Sequence, residues 1–309
     1  MRLDLAVATR FHLSRRAARE AVRAGRVDVE GQTRDEPGLE VPEGVALSHD
    51  PDRPARRRVR TRLAVLHEDA DLLVVEKPAG LLAVPTAERE KDTLLSRVSL
   101  YLQHRYRRRP YVGVVHRLDR DTSGAVVFAR TREALHALQE RFRRHDIERE
   151  YLAIVEGEPA PAGSIDAALA GDGIERRRGV ARPGERGKRA VTRYRVLERL
   201  AGASLVAIEL ETGRTHQIRI HLAASGHPVL GDRVYRPPAA PPPPIEVGRQ
   251  MLHARCLGFL HPRDGRPVRV EAAVPEDFAR AVAQLRARAR TKKSAPGSPG
   301  RGVTSKRAG

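Results

Sequence analysis

The sequence predicts a mixed α+β chain, with a body built on a largely antiparallel sheet and a small α/β module in front of it. Three observations lead there. The runs VTRYRVLERL and ASLVAIELET alternate as two paired antiparallel strands would. Segments 14–25 and 131–145 carry helix caps and a single apolar face. Residues 1–48 hold eight basic and eight acidic side chains, so the formal charge of +19 lies wholly beyond residue 48.

Ser14 is a good N-cap and Gly25 a good residue just past a helix end, which predicts a helix between them. Arg15, Arg19 and Arg23 recur every four residues and share one face. RVDVEGQ then reads as a short strand and a turn at Gly31. An arginine ridge followed by a tight hairpin suits an RNA backbone, and an ordinary amphipathic surface helix would look the same. Residues 49–62 carry six basic and two acidic groups, and Pro51 and Pro54 disfavour helix, so they read as a basic linker. The body, 63–285, opens with apolar runs at 63–66 and 72–75. Two more, about 111–115 and 125–129, flank the loop His116-Arg117-Leu118-Asp119-Arg120-Asp121-Thr122-Ser123-Gly124. Thr131 caps a helix with Ala134, Leu135, Leu138 and Phe142 on its buried face. REYLAIVEGEP is a strand bearing Tyr151. Residues 163–190 read as an exposed basic loop or hairpin. RTHQIRIHLAASG reads as a helix stopped at Gly226 with Ile218 and Leu222 facing inward. Residues 286–309 contain eight basic groups and no acidic ones, with no apolar period, so they read as a disordered basic tail.

Composition bounds the function. A chain of 309 residues with 40% apolar content suits about two folded domains. Its one cysteine, Cys256, excludes an intrachain disulfide and a cysteine-based zinc site. No apolar run reaches the roughly 18 residues of a membrane span, and the charged start does not suit a signal peptide. The expectation is a soluble, cytoplasmic protein with a polyanionic partner, nucleic acid first.

The loop 116–124 places two carboxylates, Asp119 and Asp121, beside Arg117 and Arg120. Neighbouring cations keep a carboxylate ionised and able to act as a nucleophile or base. A salt-bridged surface hairpin has the same composition. The segment after Thr212-Gly213 supplies Arg214, Thr215, His216, Arg219 and His221; a helix N-terminus with arginines suits an anion, and a helix whose arginines are only solvated would look the same. No metal is expected: His216 and His221 lie five apart, off one helical face, with no HExxH beside them. Ser123 lacks a nucleophile elbow, and no phosphate-binding GxxxxGK[ST] loop occurs.

Several longer motifs stand in order: EKPAGLLAVP at 76–85, HRLDRDTSG at 116–124, EREYLAIVEG at 148–157, LETGRTHQIRIHLAASGHPVLGD at 210–232 and MLHARCLGFLHP at 251–262. With these, the chain resembles an RluA-type pseudouridine synthase, and its first 50 or so residues resemble the S4 RNA-binding domain. The resemblance implies an α+β catalytic domain of that type, isomerisation of uridine in RNA, and no cofactor or metal. It implies that Asp119 is the catalytic aspartate and that Tyr151 stacks on the uracil. It further implies that Arg219 pairs with Asp119, and that Arg117 fills the space a flipped uridine leaves. Large-subunit ribosomal RNA is the expected substrate, with transfer RNA as the alternative and a monomer as the expected state. A non-catalytic ribosome-assembly factor and a base-cleaving glycosylase are the rival readings. The chain departs from many relatives in having Val84, not histidine, before Pro85, and in the proline-rich stretch 236–250.

Overall fold

The computed structural model describes residues 1–54, 63–107, 110–171 and 178–294. The N-terminal module has two helices, α1 (Leu3–Arg10) and α2 (Arg15–Arg23), and a sheet of β1 (Val27–Val29), β2 (Gln32–Arg34) and β3 (Leu47–His49). As the sequence predicts, the Ser14 side chain accepts from the Ala17 N–H to start α2. The helices close on β1 through Leu3, Val7, Ala18 and Val22. α1 lacks a side-chain cap, which is why no sequence signal announces it. The module reaches further than residue 48: Arg53 folds back to hold Asp28 at 2.7 Å. Part of the expected linker therefore belongs to it, and 55–62 lie outside the described residues.

The body begins with β4 (Ala64–Glu68), β5 (Leu72–Lys77), α3 (Leu94–Tyr106), β6 (Gly113–Val114), β7 (Ser123–Ala129) and α4 (Arg132–Arg144). It continues with β8 (Glu148–Glu156), β9 (Ala162–Asp166), β10 (Leu169–Gly171), β11 (Arg178–Val180), β12 (Val191–Leu200) and β13 (Ala203–Leu210). Helix α5 (Gln217–Ala224), β14 (Leu252–Leu260), β15 (Pro267–Glu271) and α6 (Glu276–Ser294) complete it. The main sheet runs β4-β5-β7-β14-β8-β13-β12-β9, with β15 on β14 and β6 on β7. Among the described residues, every pairing in this sheet is antiparallel except β7 with β14. That parallel seam joins two antiparallel halves. Helices α3 and α5 cover one face over Leu73, Val75, Val126 and Phe128. Helix α4 covers the other over Val74 and Val127.

Three further expectations change. Helix α3 is an addition to the sequence reading; its start is a capping box in which Thr93 and Ser96 exchange hydrogen bonds. Helix α5 begins at Gln217, later than the sequence suggests, because the Gln217 side chain accepts from the Arg214 N–H and holds 214–216 in a turn. The expected disordered tail at 286–309 is helical through Ser294. Phe278, Ala281, Val282 and Leu285 anchor α6 in the core, and Arg286 pairs with Glu198 at 2.5 Å. Residues 295–309 lie outside the described residues.

Candidate active site

The loop between β6 and β7 is fixed from several sides. Leu118 is buried in the main core. Lys77, wholly buried at the end of β5, donates to the carbonyls of Pro78, Leu81 and Arg120 at 2.9, 2.7 and 2.7 Å. Burial lowers its pKa to about 7. Arg249 donates to the Asp121 carbonyl at 3.1 Å, Gln250 to Thr122 Oγ1 at 2.9 Å, and Ser123 meets His253 at 3.0 Å. The loop then enters the seam at Gly124. Its φ is +125°, and a Cβ there would lie 2.2 Å from the Ala254 carbonyl oxygen. Strand register sets Gly124 beside Ala254 and Ala254 beside Tyr151. One row across three strands thus carries the end of the Asp119 loop to Tyr151.

Asp119 accepts from Arg219 Nη1 at 3.2 Å, and His216 Nε2 lies 3.7 Å from its other oxygen. Arg219 in turn grips Asp232 with two bonds of 2.6 and 3.0 Å. Both are buried. Burial opposes the charge on Arg219, but the two carboxylates raise its pKa; burial likewise opposes the charge on Asp232, and Arg219 lowers its pKa. The pair is therefore ionic. The Arg219 guanidinium also lies 5.0 Å from the Tyr235 ring, and Tyr235 Oη bonds His216 Nδ1 at 2.7 Å. Burial raises the pKa of Tyr151 against the opposing charge of Arg149, and the charge of Asp119 adds to the rise, so its phenol stays protonated at neutral pH.

Asp119, Tyr151 and Arg117 line a recess of about 520 Å³, together with Arg149 and Arg214. Arg117 is exposed at its mouth. Arg214 is exposed on its wall, its Nε donating to the Arg189 carbonyl at 3.2 Å. His116 stacks on Phe142 at 4.7 Å and accepts from the Val127 N–H at 3.2 Å; burial lowers its pKa to about 3. The structure thus brings Asp119, Tyr151, Arg219, Arg117 and Arg214 together. The α2 ridge is only partly free. Arg15 and Arg23 are exposed, whereas Arg19 pairs with the buried Asp4 at 3.2 Å. Sequence reasoning missed Asp232, Arg149 and Lys77, although each lies within one of the ordered motifs. Charged residues beside apolar runs were the available signal. One further group, Asp69, Asp71 and His261, has metal-ligand spacing, but Arg263 and Arg266 occupy its carboxylates at 2.6 and 3.0 Å.

Comparison with known proteins gives a consistent set. Residues 71–224 match the family described as RNA pseudouridylate synthase, and residues 1–47 match the S4 domain. The ribosomal large subunit pseudouridine synthase D of Zymomonas mobilis is 41% identical over 225 residues, 70% of each chain. Its namesake from Escherichia coli K12 is 34% identical over 299 residues, covering 93% of this chain and 91% of the relative. Among solved structures, human RNA Pseudouridylate Synthase Domain Containing 1 aligns with a TM-score of 0.55 at 26% identity, over 74% of this chain and 96% of that one. Human RNA Pseudouridylate Synthase Domain Containing 4 shares the fold, with a TM-score of 0.60 at 24% identity over 72% and 93%. No described helix is long and apolar enough to cross a membrane.

Proposed function

The chain belongs to the RNA pseudouridylate synthase family, and from that premise we propose that it isomerises particular uridines of large-subunit ribosomal RNA to pseudouridine. The observation that carries this reading is the Asp119–Arg219–Asp232 chain of ion pairs beside the buried Tyr151, opening into a basic recess. The names of the bacterial relatives support the substrate class, and the S4 match supports an RNA-binding role for residues 1–47. In this reading the enzyme works as a monomer in the cytoplasm.

The target uridine leaves the RNA stack, at a cost of a few kcal/mol. Stacking on Tyr151 returns about 1–3 kcal/mol of that. Arg117 occupies the space the base leaves. The N1–C1′ bond breaks, the uracil turns, and C5 bonds to C1′; the C5 proton departs and N1 gains one. Substrate and product have the same atoms, so the step consumes no cofactor. Asp119 acts either on C1′ as a nucleophile or on the C2′ proton as a base. Arg219 keeps it ionised for either role. Tyr151 is a poor base with a raised pKa, which leaves Asp119 to take the C5 proton. Arg15, Arg23 and Arg214 serve phosphates along the RNA.

Tritium release from ribosomal RNA labelled at uracil C5 tests the reading. The wild type should release label. Asp119→Asn should release none while its RNA affinity falls less than about tenfold, or 1.4 kcal/mol. Equal release by both would remove Asp119 from the chemistry. Release from transfer RNA alone would change the substrate, and RNA binding without release from either would leave an assembly factor.

A further inference from the structure

The recess beside Asp119 holds a charge that the isomerisation does not use. Side chains two apart on a strand point the same way, so β8 turns Arg149 and Tyr151 to one side. Arg149 is 7% exposed. Its Nη2 donates to the Leu210 carbonyl at 3.0 Å, and its guanidinium lies 5.6 Å from the Phe142 ring. Its Nε is buried and has no hydrogen-bond partner among the described residues. None of these contacts is a carboxylate. Burial accordingly lowers its pKa, and Tyr151 is the group that opposes the shift. An arginine still keeps its proton in a protein, so this is a buried cation with no carboxylate at ion-pair distance among the described residues, an arrangement that costs several kcal/mol unless an ion completes it.

The backbone makes room for that cation. A Cβ at Gly213 would sit 2.7 Å from Arg149 Nη1, so a larger residue there would push the guanidinium out of the recess. The surrounding charge has the same sign. Arg117 and Arg214 are exposed on the recess, Arg143 contributes a guanidinium already paired with Glu140, and Asp119 is the one acid on its lining. Asp119, Tyr151, Arg117 and Arg214 also line the smaller cavity of about 70 Å³ that reaches Arg219. The inner cavity and the outer recess therefore share walls at Asp119 and Tyr151.

We propose that the outer recess is a phosphate subsite in which Arg149 binds a non-bridging oxygen of the RNA phosphodiester next to the uridine held at Asp119. This rests on the reading of the chain as an RNA-modifying enzyme. The guanidinium meets the phosphate where it lines the recess, and the pair is charge-assisted. Arg149 is then a binding and positioning residue. It fixes which nucleotide stands at Asp119 through the backbone, without reading a base. The stability sacrificed to an unpaired buried cation is recovered when RNA arrives.

Three forms of the full chain test this: wild type, Arg149→Met and Arg149→Lys. Each is titrated with an unmodified large-subunit ribosomal RNA transcript over a salt series. Each is melted in inorganic phosphate and in chloride at equal ionic strength, and assayed for C5 tritium release. Arg149→Met should bind about tenfold or more weakly, and its slope of log affinity against log salt should shrink by about 0.7–0.9. KM should rise while kcat stays within about threefold, the pattern of lost uniform binding. Its melting temperature in chloride should equal or exceed the wild type's, since a matched apolar chain replaces an unpaired charge. Phosphate should raise the wild-type melting temperature and leave that of Arg149→Met unmoved. Arg149→Lys should restore the salt slope but only part of the affinity, because the two-pronged geometry is lost. An unchanged slope with a lowered melting temperature would make Arg149 a structural residue and overturn the proposal. Loss of kcat at unchanged KM and slope would move Arg149 from the phosphate to the base, and overturn it equally. If the wild type neither binds nor isomerises the RNA, the enzymatic reading falls with it; if only the Arg149 variants match wild type, this inference falls alone.

Discussion

Arg219 serves two carboxylates at once, and the two are not equivalent. Asp232 takes two of its hydrogen bonds in a buried setting, whereas Asp119 takes one and remains partly exposed. Asp232 therefore sets where the guanidinium stands, and Asp119 receives what is left over. Asp232→Asn should lower kcat about 100-fold with KM changed less than about threefold, because a positioning partner acts on the transition state more than on binding. The same change should reduce unfolding free energy by about 3 kcal/mol in a denaturant titration, the size expected for breaking a buried pair. His116 gives a pH prediction. The native ring stays neutral down to about 3, while the unfolded ring takes a proton near 6.5. The unfolded state binds more protons in that window, so stability falls as pH drops below about 6.5, by about 2 kcal/mol at pH 5. His116→Gln should flatten that segment of the melting-temperature profile. The charged loop between two apolar runs drew attention to Asp119 and Asp121 alike, and the resemblance of the His-Arg-Leu-Asp motif pointed to Asp119. Asp232 was not legible: its partner is chosen by how α5 and the following turn meet, which no spacing rule encodes. Arg19 shows the converse, since a regular ridge cannot reveal that one of its members faces a buried carboxylate.

Elements were legible where local chemistry decides them. Ser14 and Thr131 start α2 and α4 where their side chains predict, and β12 and β13 pair as their alternation suggests. Helix α5 slipped by three residues because a glutamine side chain, not a cap, sets its start. Helix α3 went unseen because its capping box uses serine where glutamate or glutamine is usual. The seam between β7 and β14 makes an element-scale prediction. Gly124 combines φ of +125° with a backbone oxygen 2.2 Å from where a Cβ would stand. Gly124→Ala should therefore destabilise the protein by more than about 2 kcal/mol, from backbone strain and overpacking together. Thermal unfolding measures it. A shift of less than about 0.5 kcal/mol would mean that the two strands part there without consequence.

At the scale of the molecule, the excess charge and the folded surface are distributed differently from what composition alone suggests. The basic segment from 286 is not one unit. Its first part belongs to α6, packed on the sheet and pinned by Arg286 to Glu198. Removal of 295–309, which carries Arg301, Lys306 and Arg307, should leave the melting temperature unchanged. It should lower the salt slope of RNA binding by at most about 2–3, from three fewer possible phosphate contacts. Truncation at 285 should also lower the melting temperature, because it strips the end of a packed helix. A slope indifferent to both truncations would show that neither part meets phosphate.

The loop bearing Asp119 has a history as well as a geometry. Three of the groups that hold it in place come from 128 and 130 residues further along: Arg249 on Asp121, Gln250 on Thr122, and His253 on Ser123. A ribosome that has made the first 245 residues has already supplied Asp119, Tyr151, Arg219 and Asp232, but not the strand that spaces them. Contacts so distant in sequence form late. A growing chain that lacks residues 249–253 lacks these holds on the loop, so it should isomerise uridine only once most of the body has emerged.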